Sequence, residues 1–186
     1  NNTREFFDAW TSVFEGEMKK KNLTFETSYE IEHPYLYFDR THVMELLMNI
    51  LSNSVKYTAN NGKIFAGVRD LPGGKEGECI VETTVRDNGI GMSKAFQAQI
   101  FEQFSRERNS SQSGIQGTGL GMAIVKRIVE MMNGTITIKS KLGEGTETII
   151  CLPHHIGQEP AGQDVTENPA TEFDFSGKRI LLVEDN

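Results

Sequence analysis

Apolar and polar positions alternate along the chain in ways that mark out its elements. Phe6, Phe7, Trp10, Val13, Phe14 and Met18 recur at spacings of three and four, which predicts an opening amphipathic helix from Arg4 to Lys20, ended near Lys21-Asn22. Leu23 to Glu30 alternates as a strand, and after Pro34 the segment Tyr35 to Phe38 reads as a short edge piece. Val43, Leu46, Leu47, Ile50 and Leu51 form the apolar side of a second helix running to Tyr57, capped by Asp39 or Thr41. Lys63 to Leu71 and Glu78 to Arg86 read as strands joined by Pro72-Gly73-Gly74. Ser93 caps a helix reaching Phe101, with Phe96, Ile100, Phe101 and Phe104 on its apolar side. A long polar loop from Ser105 to Gly119 leads into a helix from Leu120 to Met132, closed by Asn133-Gly134. Strands from Thr135 to Lys139 and from Thr146 to Leu152 complete a first domain of residues 1–153. Residues 154–176 are Gln-, Pro-, Ala-, Thr- and acid-rich and read as a flexible linker, and 177–186 begins a buried strand of a further domain.

Composition narrows the class. With 186 residues and 37% apolar content the chain buries a core of ordinary size. Its 19 basic against 26 acidic residues, a net charge of −7, argue against a nucleic-acid partner. No long apolar run is present, so this segment is expected to be soluble, cytoplasmic and without membrane contact. Cys79 and Cys151 stand far apart with no CxxC pair, which predicts reduced, strand-borne thiols. His33, His42, His154 and His155 read as solvated surface residues.

Three stretches carry candidate chemistry. Glu45, Asn49 and Asn53 stand one helical turn apart in a single stripe. Taken alone, that stripe is either the wet face of the helix or a ligand site whose carboxylate and carboxamides need polar partners. Asp87-Asn88-Gly89-Ile90-Gly91 is either an ordinary turn after a strand or a loop in which Asp87 accepts a hydrogen bond from an exocyclic amine while Gly89 and Gly91 let a flat ligand approach. Gly117-Thr118-Gly119-Leu120-Gly121 feeds a helix N-terminus, where free N–H groups and the positive end of the dipole favour phosphate. The run is neither a Walker motif nor a Rossmann fingerprint.

In their order along residues 1 to 153, the paired asparagines, the DxGxG after a strand, the Ile-Phe-x-x-Phe helix, the loop, the GxGxG on a helix and a GxGT turn resemble the sequence boxes of the catalytic ATP-binding domain of sensor histidine kinases, within the gyrase, Hsp90, histidine kinase and MutL ATPases. The resemblance implies a two-layer α/β sandwich of the Bergerat type, a mixed sheet covered on one face by helices. It also implies ATP and Mg²⁺ as ligands, with the γ-phosphoryl group donated to a histidine on a separate dimerisation domain. Asn53 resembles the Mg²⁺ ligand, Asn49 a second polar site residue, Lys56 the phosphate-reaching base and Tyr57 the aromatic packed on adenine. Asp87 resembles the adenine-amine acceptor, with Gly89 and Gly91 beside it; Phe101 and Phe104 look like lid anchors and Arg106 like the arginine on the terminal phosphate. Gly117, Thr118, Gly119, Leu120 and Gly121 resemble the phosphate-side loop, and Thr146 a contact near adenine.

Two departures stand out. In the gyrase, Hsp90 and MutL branch a Glu lies four residues before the metal-binding Asn; here that position is Asn49, with Glu45 one turn further back. A carboxamide is no general base, so the alternative of a hydrolytic, clamp-driving ATPase is disfavoured. Thr148 stands where the family usually has an aromatic, a change expected to affect core packing more than chemistry. The final LLVEDN resembles the first strand of a response-regulator receiver domain, which implies a hybrid kinase feeding a phosphorelay, with that receiver as a partner.

Overall fold

The structure is a computed structural model and describes residues 1–71, 75–105 and 119–159. In chain order the elements are α1 (Thr3–Ser12), α2 (Glu15–Lys20), β1 (Thr24–Glu30), β2 (Leu36–Tyr37), α3 (Arg40–Tyr57), β3 (Lys63–Leu71), β4 (Glu78–Asp87), α4 (Lys94–Gln97), α5 (Gly121–Met131), β5 (Thr135–Lys141) and β6 (Gly145–Ile156). One mixed sheet has the order β1-β3-β4-β6, with β5 and the short β2 side by side along the outer edge of β6. Only β1 and β3 run parallel; the other pairings are antiparallel.

Period-two alternation decides which face is covered. Ile64, Ala66, Val85, Ile150 and Leu152 are buried beneath the helices. The opposite face carries ion pairs such as Arg69–Glu82 at 2.7 Å and Lys139–Glu147 at 3.2 Å. Above the sheet, Leu46 and Leu51 of α3 are fully buried in one core that also holds Trp10 of α1 and Val125 of α5. This is the two-layer sandwich with helices on one face that the sequence predicts. Asp39 caps α3, accepting from the N–H groups of Thr41 (2.9 Å) and His42 (3.0 Å).

Four expectations need correction. The opening helix is broken at Val13-Phe14 into α1 and α2. Near the break, Thr11 and Ser12 turn their hydroxyls back to the carbonyls of Phe7 (2.9 Å) and Ala9 (3.1 Å), which bends a helix, and Val13 stands exposed. The helix expected from Ser93 to Phe101 keeps its Ser93 cap but is only Lys94–Gln97. Beyond it, Gln99 N–H bonds to Phe96 O and Glu102 N–H to Gln99 O, tight turns in place of helix.

The last strand does not stop at Leu152. Ile156 N–H donates to Gly77 O at 2.9 Å, so even-numbered residues aim their N–H groups at β4 and Pro153 turns its missing donor to the outer edge, between the ends of β5 and β2. That continuation places His154 beside Leu152 on the covered face, where it is buried against the Phe38 ring at 5.4 Å. Burial lowers its pKa to about 4. His154 is thus a core residue and not a solvated one, while His155 is exposed as expected. Cys79 and Cys151 are free thiols on β4 and β6. The segment expected to form the second domain's first strand lies outside the described residues. No helix among the described residues is long and apolar enough to cross a membrane.

Candidate functional site

The C-terminal half of α3 and the C-terminal end of β4 enclose a cleft. Asn49, Ile50, Asn53, Ser54, Lys56 and Tyr57 line it from α3, Asp87 from β4, and Gly121 and Met122 from the start of α5. Ile138, Thr146 and Thr148 form the floor, and Ile90, Gly91, Met92, Phe96 and Ile100 close the side. Asp87 is the one acid and Lys56 the one cation among the described lining residues.

Asp87 ends its strand on the covered face, buried, with both carboxylate oxygens engaged. Ser54 Oγ donates to Oδ2 at 2.8 Å and Gly89 N–H to Oδ1 at 3.0 Å. Burial pushes its carboxyl above the ordinary range, and the Gly89 N–H, Ser54 hydroxyl and Thr146 N–H pull it partly back. A carboxylate has about four lone-pair positions, so Asp87 retains acceptor capacity toward the cleft. Held this rigidly, it can orient a donor such as an amine.

The polar stripe of α3 divides. Residues four apart on an α-helix are offset by about 40°, so eight residues turn the stripe by about 80°. Asn49 and Asn53 face the cleft, but Glu45 is exposed and does not line it. Asn49 Nδ2 donates to Glu45 O at 2.8 Å, and its Oδ1 lies 2.7 Å from where a Cβ on Gly121 would stand, so Gly121 lets α5 approach α3. Asn53 Nδ2 reaches Met122 Sδ at 3.5 Å, which leaves its carboxamide oxygen for the cleft. Such an oxygen is a donor suited to a hard cation. Lys56 Nζ lies 5.1 Å from the Tyr57 ring centre, and both belong to the last turn of α3. That turn is fixed by Lys21, whose Nζ donates to the carbonyls of Val55 (2.7 Å), Lys56 (3.1 Å) and Thr58 (2.7 Å).

Gly89 and Gly91 serve the protein's own backbone more than a ligand. A Cβ on Gly89 would meet Tyr57 O at 2.5 Å, and one on Gly91, whose φ is +60°, would meet Lys141 O at 2.0 Å. Only Gly91 lines the cleft. Thr148 is part of the cleft floor, so its place is at the site and not only in core packing. Thr146 lines the floor too, its Oγ1 2.9 Å from Ser140 Oγ. Phe104, expected to anchor a lid, is 70% exposed, and its backbone N–H donates to Gly119 O at 3.0 Å. Phe101 is half-buried, with Lys126 Nζ 5.6 Å from its ring centre. Leu120 is the N-cap of α5. Arg106, Gly117 and Thr118 lie outside the described residues.

Sequence reasoning missed Ser54, Ser140, Gln97 and Lys21. Ser140 Oγ donates to Gly145 O (2.9 Å) and receives Met92 N–H (2.9 Å), while Gln97 Nε2 donates to Met92 O and Ser140 O at 3.0 Å each. These bonds tie the loop after Asp87 to β5. A serine or glutamine without a motif carries no signal of such a role in sequence.

Residues 38–156 match the family model described as histidine kinase-, DNA gyrase B-, and HSP90-like ATPase. The sensor histidine kinase AtsR of Burkholderia thailandensis is 29% identical over 173 residues, 92% of this chain and 28% of that protein. The autoinducer 2 sensor kinase/phosphatase LuxQ of Vibrio vulnificus is 32% identical over 170 residues, 90% of this chain and 20% of that protein. This chain therefore spans between a fifth and just over a quarter of the length of these relatives. Full-length ShkA, solved in complex with AMPPNP, shares the fold with a TM-score of 0.68 and 24% identity, over 86% of this chain and 32% of that one.

Proposed function

Because the chain belongs to the histidine kinase-, DNA gyrase B- and HSP90-like ATPase family, we propose that its cleft binds ATP with Mg²⁺ and acts as the catalytic domain of a sensor histidine kinase, giving the γ-phosphoryl group to a histidine on a dimerisation domain outside this sequence. The observation that carries the kinase reading is the divided stripe. α3 presents two carboxamides to the cleft and no carboxylate, since Glu45 turns away. α3 therefore offers a triphosphate no base to activate water, whereas transfer to a histidine nitrogen can proceed mainly by positioning and charge neutralisation.

The remaining residues divide the work. Asp87 accepts the exocyclic amine of adenine, between Thr146 and Ile90, with Tyr57 at the base. Lys56 and the N-terminus of α5, which follows Gly117 to Gly121 in sequence, face the phosphates. Arg106 belongs to the terminal phosphate on the same reading. Asn53 offers the protein oxygen that would hold Mg²⁺, the ion that neutralises phosphate charge when bound. Because β6 runs on to Ile156, the linker is proposed to begin after it, at residues 157–176, with 177–186 as the first receiver strand of a hybrid kinase and the receiver as the next phosphoryl acceptor.

Calorimetry with ATP in the presence and absence of Mg²⁺ tests the assignment. The unaltered chain should bind more tightly with Mg²⁺, and Asn53→Ala should bind equally with and without it; a variant that keeps the Mg²⁺ dependence would remove Asn53 from the metal. The isolated chain should also bind ATP without phosphorylating itself and hydrolyse it slowly. Stable label from γ-labelled ATP on this chain, or a hydrolysis rate abolished by Glu45→Ala, would contradict the kinase reading.

A further inference from the structure

At the end of the sheet remote from the cleft, three unlike donor side chains converge. Cys79 and Asp87 lie on the same face of β4 eight residues apart, about 27 Å at strand rise, so this cluster is separate from the nucleotide site. Asp70 stands near the end of β3, Cys79 near the start of β4, and His33 on the connection between β1 and β2. A His nitrogen, a carboxylate oxygen and the Cys79 Sγ all lie within 4.8 Å of one another.

The Asp70 carboxylate is unevenly used. Its Oδ2 receives the N–H groups of Glu32 (2.9 Å) and His33 (3.3 Å) and lies 2.9 Å from His33 Nδ1. Its Oδ1 is buried with no hydrogen-bond partner among the described residues. An orphaned buried carboxylate oxygen is costly, and a cation would satisfy it.

We propose that His33, Asp70 and Cys79 form a site for a borderline-soft divalent metal ion, Zn²⁺. The mixed N, O and S donor set is the one zinc takes, and three protein ligands leave a fourth position for water. Tetrahedral zinc with ligands at about 2.0–2.3 Å places its donors roughly 3.3–3.8 Å apart. The present spread closes by about 1 Å, which rotation of His33, its side chain 36% exposed, can supply. That exposure also gives the ion a path in. Burial holds the Cys79 thiol up at about 11, so the metal-free chain carries S–H there; binding forms a Zn–S bond and releases that proton to solvent. The ion would fasten the segment before β2 to the sheet. That segment in turn holds α1, because Pro34 O accepts Thr3 N–H at 2.9 Å.

The test uses the whole chain carrying Cys151→Ser, which removes the other free thiol, stripped of metal and titrated with Co²⁺ and then Zn²⁺. One equivalent of Co²⁺ should bind with a thiolate-to-metal charge-transfer band, and Zn²⁺ should displace it and raise the melting temperature. Adding Cys79→Ser should abolish the band and weaken zinc binding by about 100-fold, and Asp70→Asn should weaken it by about 10-fold or more. Absence of the charge-transfer band in the Cys151→Ser chain would overturn the proposal whether or not the Cys79 variant folds. So would zinc affinity unchanged by Asp70→Asn.

Discussion

Asp87→Asn is expected to weaken ATP binding by about 10- to 100-fold while the chain stays folded. The carboxylate is held by Ser54 Oγ at 2.8 Å and Gly89 N–H at 3.0 Å, so its direction is set before any ligand arrives. An amine donated to a charged acceptor in a closed cleft contributes about 1.5–3 kcal/mol. Asparagine cancels that and, in one amide orientation, points N–H against N–H. The fold should survive because Asn is isosteric and the Ser54 hydroxyl rotates to accept. Calorimetry reads the loss and thermal melting checks the fold; near-unaltered affinity in a folded variant would remove Asp87 from adenine recognition.

The same residue sets opposite pH trends for binding and stability. Burial raises its pKa in the folded state above the ordinary carboxyl value, so the folded chain takes up a proton at milder acidity than the unfolded chain does. Above that folded value the ionised, desolvated carboxylate detracts from stability, and the penalty is relieved as pH falls through it. ATP affinity, which uses the ionised acceptor, falls over that same interval. In Asp87→Asn this residue's share of both trends should disappear, as melts and titrations taken from neutral to mildly acidic pH would show.

Which parts were legible in sequence follows from the range of the interactions involved. Strand alternation and the helical spacing of Leu46, Ile50 and Leu51 are local properties, and β3 runs Lys63–Leu71 as read. Asp87 and Asn53, which line the cleft, stand in surroundings recognisable in sequence, a strand end and a helix stripe. Glu45 misled because four-residue spacing was read as one face, although the stripe drifts around the helix. The break after Ser12 depends on hydroxyls bonding back to the chain, a choice that periodicity does not register. His154 is hidden from a sequence reading because a proline suggests a strand end, whereas Pro153 needs only a side of the strand with no acceptor to meet. The supports of the site join residues far apart in sequence: Ser54 to Asp87 across 33 positions, Met92 to Ser140 across 48, Lys21 to the end of α3 across 34 to 37. Such pairings arise only once the sheet register is fixed.

Trp10→Ala should destabilise the chain by about 3–5 kcal/mol, a large part of the roughly 5–15 kcal/mol that holds an ordinary domain together. The family match begins at residue 38, so α1 lies outside it, yet Trp10 is fully buried in the same core as Val43 and Leu47. Its ring meets Phe7 edge-on at 5.8 Å, and Phe7 meets Tyr29 of β1 at 5.6 Å, so removing the indole also loosens the contact between α1 and the sheet. Trp10→Phe should be much milder, within about 1 kcal/mol, because the lost volume is offset by removal of an indole N–H that is buried without a partner. Urea unfolding followed by circular dichroism gives both values, with unchanged slope as the sign that native and unfolded compactness are preserved. An alanine cost below about 1 kcal/mol would mean that α1 is an appendage and not part of the domain. Trp10 borders a small apolar cavity together with Val43 and Leu47 of α3, whereas the cleft is lined from Asn49 onward, so nucleotide affinity of the folded variant should remain that of the unaltered chain. Stability and binding then separate along one helix: α1 holds its N-terminal half, and Lys21 with Ser54 positions the half that faces the nucleotide.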